Sequence, residues 1–263
     1  MAKKIMIDPG HGGHDSGAAA NGLKEKDLVL AIAKKTKSIL EKEYDVLVKL
    51  TRSTDVFIEL AERSAMANKW GADYFVSIHI NAGGGTGFET YRFHKLSTSS
   101  GTGQKQAAVH KAIFNKIKGK GVKDRGTKSA NYAVLRGTKM AAILTENLFI
   151  DNKNDAALLK QASFIDLLAR GHAEGIAEAV GLKKAAKKGT VEKGVKLVVV
   201  KPNADGWLWV YDKPDWGAKY KKVKPGEAFT IDQTLTVNGS KMYKLKSGLY
   251  ITASTKYVEV KQK

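Results

Sequence analysis

Apolar residues recur at two spacings along the first 182 residues. Short runs bounded by polar or glycine-rich stretches predict strands over 3–7, 46–50, 74–78, 88–93, 132–135 and 142–145. Between them Leu28, Ala31, Ile32 and Ile39 fall at helical spacing. That pattern predicts helices over about 25–41, 59–70, 104–117 and 164–180, the second and last closed by Gly71 and Gly181. Strands alternating with helices imply an α/β domain, a mostly parallel sheet with helices on both faces. Beyond residue 195 the pattern changes. Only short strands are predicted there, over 197–200, 208–211, 228–231, 242–245 and 257–260, with Lys-Pro-Gly, Asn-Gly and Ser-Gly turns between them. Many short strands with such punctuation predict a small all-β barrel. The lysine-rich stretch from Lys183 to Thr190 has no apolar period and reads as a linker. The organisation expected is thus a domain over 1–182, a basic linker over 183–194 and a second domain over 195–263.

Composition narrows the chemistry. The chain has no cysteine, which excludes disulfides, thiolate metal sites and a cysteine nucleophile. Any bound metal must be held by His, Asp or Glu. With 45 Lys and Arg against 26 Asp and Glu the formal net charge is +19. Such a surface attracts polyanions: nucleic acid, anionic membranes or acidic wall polymers. From Lys183 onward 18 lysines face 7 acidic residues, so the tail is the more basic part. No stretch is apolar for long enough to predict a membrane span, and the N-terminal apolar run is too short for a secretory signal.

Four polar residues fall where the predicted strands end. His11 follows the first strand, Glu25 opens the first helix, His79 ends the third strand and Glu146 ends the last. In open α/β sheets sites form beyond the carboxyl ends of the strands. Two His and one Glu match the three protein ligands of a catalytic zinc site, and a further carboxylate can act as general base. Each residue alone has a plainer explanation. A single His after a strand is commonly a hydrogen-bonded loop residue, Glu25 suits a helix N-terminus, and Asp8-Pro9-Gly10 suits a turn. Together, at one sheet edge, they favour a site.

The sequence also resembles a known family. Asp8-Pro9-Gly10-His11-Gly12-Gly13, Asp15-Ser16-Gly17-Ala18, Leu23 to Asp27, Leu50-Thr51-Arg52, and Leu60 to Arg63 with Ala67-Asn68 follow one another in order. So do Ala72-Asp73, Ser77 to Ala82, Gly87 to Tyr91 and Thr145 to Ile150. These blocks resemble the zinc N-acetylmuramoyl-L-alanine amidases called amidase 3. The resemblance implies one Zn2+ per chain on His11, Glu25 and His79, with Glu146 as catalytic acid/base. The implied reaction is cleavage of the amide between N-acetylmuramic acid and L-alanine of the peptidoglycan stem peptide. Asp8, Asn81 and Arg52 are candidates for contacts behind the metal or with substrate, and Arg52 equally for a structural ion pair. The family usually carries a glycine-like residue where Leu148 stands, so the loop after Glu146 is expected to differ. His14 is read as incidental, and His94, His110 and His172 as surface or helix-packing residues.

The tail, from Trp209 to Pro214, Lys224 to Glu227 and Met242 to Val260, resembles bacterial SH3-type wall-binding domains. Trp207, Trp209 and Trp216 are its candidate wall-binding residues, although at least half of its aromatics are expected to fill the core. The combination resembles a phage or prophage endolysin. It implies peptidoglycan and anionic wall polymers as partners, no nucleic acid, no membrane insertion, a monomer, and access to the wall through a membrane hole. A host autolysin or sporulation lytic amidase of the same chemistry, or a non-catalytic wall binder, are the alternatives.

Overall fold

The computed structural model describes residues 2–185 and 196–262. Two compact units divide the chain, Met1–Lys187 and Lys188–Lys263. Most of the expected linker lies outside the described residues. Lys183 and Ala185, read as its start, hydrogen-bond back to Asp45 and Glu43 of the first unit.

In the first unit the elements run β1 (Lys3–Pro9), β2 (Ala19–Ala20), β3 (Leu23–Lys24), α1 (Glu25–Glu43), β4 (Val46–Leu50), α2 (Leu60–Trp70) and β5 (Tyr74–Asn81). They continue with β6 (Phe88–Phe93), α3 (Gly101–Ile117), β7 (Asp124–Ala130), α4 (Ala133–Gly137), β8 (Ala141–Phe149), α5 (Lys153–Leu159) and α6 (Ala162–Val180). Six strands form one sheet in the order β4-β1-β5-β8-β6-β7. The pairs β1–β4, β1–β5, β5–β8 and β6–β7 are parallel, and β6 meets β8 antiparallel.

Strand side chains alternate between two faces, and each face finds its own helices. Ile5, Ile7, Val76, Ile78 and Ile143 join the larger core with Ile32 of α1, Val109 of α3 and Leu168 of α6. Met6, Phe75, Ala142 and Leu144 point the other way, against Ala67 of α2 and Val134 of α4. On that second face, two or four residues further along the same strands, stand Asp8, Ser77, His79 and Glu146. The alternation that buries the core therefore also delivers the polar residues to one side of the sheet.

Three differences from the expected elements have physical causes. Residues 132–135, expected as a strand, form the N-cap and first turn of the short helix α4. A four-residue apolar run does not distinguish the two periods. Strand β7 was not expected, because its sequence Asp-Arg-Gly-Thr-Lys-Ser-Ala carries no apolar alternation; it is an edge strand. His79 and Glu146 do not end their strands: β5 runs to Asn81 and β8 to Phe149. The β5–β8 register shifts between His79 and Asn81, and β8 bends there at Leu148, whose φ is +72° although it is fully buried. This left-handed bulge stands at the position where the resemblance implied a glycine-like residue.

His172 of α6 is buried beneath the sheet. Its Nδ1–H donates to the Leu168 carbonyl (2.8 Å), which leaves Nε2 to accept from the Thr145 hydroxyl (3.0 Å). Burial pushes its pKa down from 6.5 to about 4. Above pH 6.5 both folded and unfolded chains leave it neutral. Between pH 6.5 and about 4 the unfolded chain takes up a proton that the folded chain refuses, so stability falls as pH falls. The full effect is about 3 kcal/mol. Urea unfolding of wild type and His172→Gln at pH 7 and pH 4.5 reads it: the wild type should lose more stability on acidification. Equal losses would rule the residue out as the cause.

The second unit is all antiparallel. Its strands are β9 (Lys196–Val200), β10 (Leu208–Tyr211), β11 (Lys219–Val223), β12 (Ala228–Val237), β13 (Ser240–Leu245), β14 (Tyr250–Thr252) and β15 (Val258–Gln262). The hydrogen-bonded order is β11-β10-β14-β13-β12-β9-β15, around a core that includes Val198, Val200, Val210, Leu245 and Ile251. Strand β11 was not expected, since Lys-Tyr-Lys-Lys-Val is nearly all exposed at the end of the order. No described helix is long and apolar enough to cross a membrane.

Candidate metal centre and catalytic cleft

The carboxyl ends of β1, β5 and β8 open into a cleft of about 420 Å³ lined by His11, His79, Glu146, Tyr132, Phe57 and Ile58 among others. Glu25 stands between the two histidines. Its Oε1 lies 3.1 Å from His11 Nε2 and 3.0 Å from His79 Nδ1. One ligand atom from each of His11, Glu25 and His79 falls within 4.8 Å of the others. The imidazole rings meet edge to face at 5.0 Å.

Local backbone chemistry makes this approach possible. Glu25 is 4% exposed, and its carboxylate also accepts from the backbone N–H of Ile80 (3.0 Å) and Ala18 (2.9 Å). Two backbone N–H groups and two imidazoles thus surround one carboxylate at the start of α1. A Cβ at Gly10 would lie 2.3 Å from His79 Cε1. At Gly17, where φ is +61°, a Cβ would lie 2.6 Å from both Glu25 Oε2 and His11 Cδ2. Both positions need glycine because the ligand side chains occupy the space a Cβ would take. Asp15 accepts at His11 Nδ1 (2.8 Å), fixing the ring and turning Nε2 toward Glu25.

The charges respond to this crowding. Burial works against an ionised Glu25, but the hydrogen bonds from His11 and His79 outweigh it and hold the carboxyl well below the usual range. Burial alone would lower both imidazole pKa values, yet Glu25 reverses the balance and raises them. The negative charge that draws protons to this cluster equally suits a cation. His, His and an ionised Glu form a donor set that fits Zn2+.

Glu146 faces the cluster from β8, in register with His79 across the parallel pair. Its Oε2 is buried without a hydrogen-bond partner among the described residues. Burial raises its pKa to about 7; His79 pulls it down, and Glu25 and Glu89 push it up. A carboxyl raised toward neutrality, with one oxygen lacking a partner among the described residues and three candidate ligand residues beside it, suits proton transfer.

Asp8, Asn81 and Arg52 differ in placement. Asp8 lines the cleft floor but is fully buried. It accepts from Thr51 (2.6 Å), Ser77 (2.7 Å) and Arg63 (2.9 Å). Arg63 was not foreseen as a site residue. It is 2% exposed and also donates to the carbonyls of Pro9 and His11, so it ties α2 to the loop that presents the first ligand. Arg52 forms no ion pair among the described residues. It donates to the carbonyls of Pro9, Gly10, Lys26 and Thr54, bracing the same loop from behind. Asn81 donates to Glu89 (2.7 Å). Glu89, also unforeseen, lies directly opposite Glu146 on β6. Both Arg63 and Glu89 sit inside sequence blocks already singled out, but nothing local marks them as buried charges.

His14 packs on Phe57 and His94 on Phe93, while His110 is buried between Thr90 and Asp124. In the second unit Lys222 Nζ lies 3.7 Å from the Trp207 ring centre and 5.3 Å from that of Trp209. Trp216 donates to the Val237 carbonyl and lines a separate hollow with Lys241 and Asn238.

Comparison with known proteins places the chain in a family. The chain is 62% identical over 271 residues to the endolysin of Bacillus phage SPP1, covering 100% of both. It is 47% identical over 203 residues to the sporulation-specific N-acetylmuramoyl-L-alanine amidase of Bacillus subtilis, covering 77% of this chain and 78% of that one. Among solved structures, the N-acetylmuramoyl-L-alanine amidase of Clostridium difficile 630 superposes with a TM-score of 0.65 at 35% identity, covering 68% of this chain and 97% of that one. Residues 5–178 match the N-acetylmuramoyl-L-alanine amidase family, and the chain belongs to it.

Proposed function

We propose that this protein hydrolyses the amide between N-acetylmuramic acid and L-alanine in peptidoglycan, with one Zn2+ held by His11, Glu25 and His79 and with Glu146 moving the proton. The observation that carries this reading is the partnerless Glu146 Oε2 facing three converged ligand atoms in a member of this amidase family. Zinc bound there would supply Lewis-acid polarisation of the scissile carbonyl and acidify a water. Glu146 takes the proton of the attacking water and delivers it to the alanine nitrogen, because an unprotonated amine anion is too poor a leaving group. Asp15 keeps His11 oriented, and Arg63 with Arg52 keeps the His11 loop in place.

In this reading the protein works as a monomer, since His11, Glu25, His79 and Glu146 converge within a single chain. The relative that matches over the whole chain, second unit included, is an endolysin. That supports a lytic role, with the protein reaching the wall through a membrane hole made by another protein. Residues 1–182 would then be the catalytic domain and 195–263 an SH3-like wall-binding domain. The lysine-rich second unit would hold the enzyme on peptidoglycan and its anionic polymers and raise its effective concentration there.

The test is amine release from purified Gram-positive peptidoglycan. New alanine N-termini, without new reducing ends, are expected. A protein that pellets with walls yet releases no alanine N-termini would be a binder instead.

A further inference from the structure

Glu89 is 1% exposed, and its carboxylate is fully engaged. Oε1 accepts from Asn81 (2.7 Å) and the Tyr91 hydroxyl (2.8 Å). Oε2 accepts from Arg125 Nε (2.6 Å) and from Lys128 Nζ. Two cations thus converge on one buried anion, leaving one positive charge in excess. The counter-charge is buried, whereas the Arg125 and Lys128 side chains are 27% and 37% exposed. Arg125 also lies 4.8 Å over the Phe149 ring and Lys128 5.9 Å over Tyr91, so each cation has an aromatic neighbour as well as a carboxylate holding it.

The position of this pair gives it meaning. Glu89 on β6 is directly opposite Glu146 on β8, and residues paired in this way have Cβ atoms about 4.5–5.5 Å apart. The cationic rim therefore begins one strand away from the proton-transfer carboxylate. The cleft wall formed by Phe57, Ile58, Leu60 and Val134 is apolar. Arg125 and Lys128 stand beside this cleft, toward the β6–β7 edge, while its own lining carries Asp15, Glu59 and Arg63 besides those apolar residues.

The substrate carries its charge on one side of the scissile bond. The lactyl carboxyl of the sugar is consumed in the scissile amide and carries no charge. The anionic groups of a stem peptide lie beyond the alanine, the first being the α-carboxyl of the acidic residue that follows it. We propose that Arg125 and Lys128, held in place by Glu89, bind this carboxylate and thereby set both the direction in which the stem peptide enters and a preference for stems whose second residue is not amidated. The proposal rests on the amidase reading above. Here Glu89 is a positioning residue that acts through the two cations.

The experiment uses the full chain and two uncross-linked peptidoglycan preparations that differ only in that carboxyl, free in one and amidated in the other. Wild type should show a kcat/KM about tenfold higher on the free acid, the scale of one charge-assisted hydrogen bond. Lys128→Gln, which keeps a donor toward Glu89, and Arg125→Met should each bring the ratio toward one, chiefly through KM on the free acid. A merely structural role would lower activity on both substrates alike and leave the ratio intact. Equal wild-type rates on the two preparations, or variants that keep the wild-type ratio, would overturn the proposal. No new alanine N-termini from either preparation with wild type would instead sink the amidase reading beneath it.

Discussion

Glu146→Gln is expected to slow amide cleavage by about 10²–10⁴-fold, the usual contribution of a positioned acid/base. The side chain keeps its shape and its place in β8 beside His79, so the fold should survive. Removing a carboxyl whose pKa burial has raised to about 7 should leave the melting temperature unchanged or slightly higher. The rate is read as alanine N-termini released per minute. A variant retaining more than about a tenth of wild-type activity would mean that another group carries the proton. Dialysis of wild type against a chelator should cause a loss at least as deep, reversed by added Zn2+. Added Zn2+ should do nothing for Glu146→Gln. Chelated wild type with full activity would remove the metal from the mechanism while leaving the role of Glu146 standing.

Arg63→Met should destabilise the first unit by about 3–5 kcal/mol. Its partner Asp8 is 0% exposed. It keeps donors from Thr51 and Ser77 but loses its only ion pair among the described residues. A buried carboxylate without its counter-charge is the costly case, whereas the intact pair adds little over an apolar substitute. Asp8→Asn combined with Arg63→Met should therefore recover part of the loss. Lys35→Ala provides the contrast. Its pair with Asp166 is 46% and 59% exposed, and such pairs contribute about 0–1 kcal/mol. Urea unfolding of the four proteins reads the series. Arg63→Met with a loss as small as that of Lys35→Ala would show that the buried pair does not hold the His11 loop. Activity should fall with Arg63→Met even where the chain remains folded, because its Nη2 also holds the His11 carbonyl at 2.8 Å.

The alternation of short apolar runs with helical spacing was enough to read an α/β sheet covered on both faces, because core burial imposes those periods on the chain itself. That His11, Glu25, His79 and Glu146 come together at one edge of the sheet was legible for a related reason. Each lies close to the carboxyl end of a strand or opens the helix that follows one, and their residue types name the chemistry. The strands β7 and β11 were not legible, since edge strands bury too little to need an apolar pattern. Nor was the helical state of residues 133–137, where the packing of α4 against α2 and the sheet decides between two periods that five residues do not separate. Trp207 and Trp209 could be marked as aromatic from the sequence, but not that Lys222 lies against both rings.

The least visible features were the buried ion clusters. Arg63 reaches Asp8 across 55 residues, and Arg125 and Lys128 reach Glu89 across 36 and 39. A charged residue in a sequence reads as surface until a partner is known. Which charges are buried, and which carboxylate oxygen is left without a partner, depends on strand order and on the antiparallel entry of β6 beside β8. The sequence by itself determined the residue types, the periods and the order of the donors along the chain. Only the tertiary structure decided which charges face one another, because pairing between distant segments follows from sheet register and helix packing and leaves no local trace.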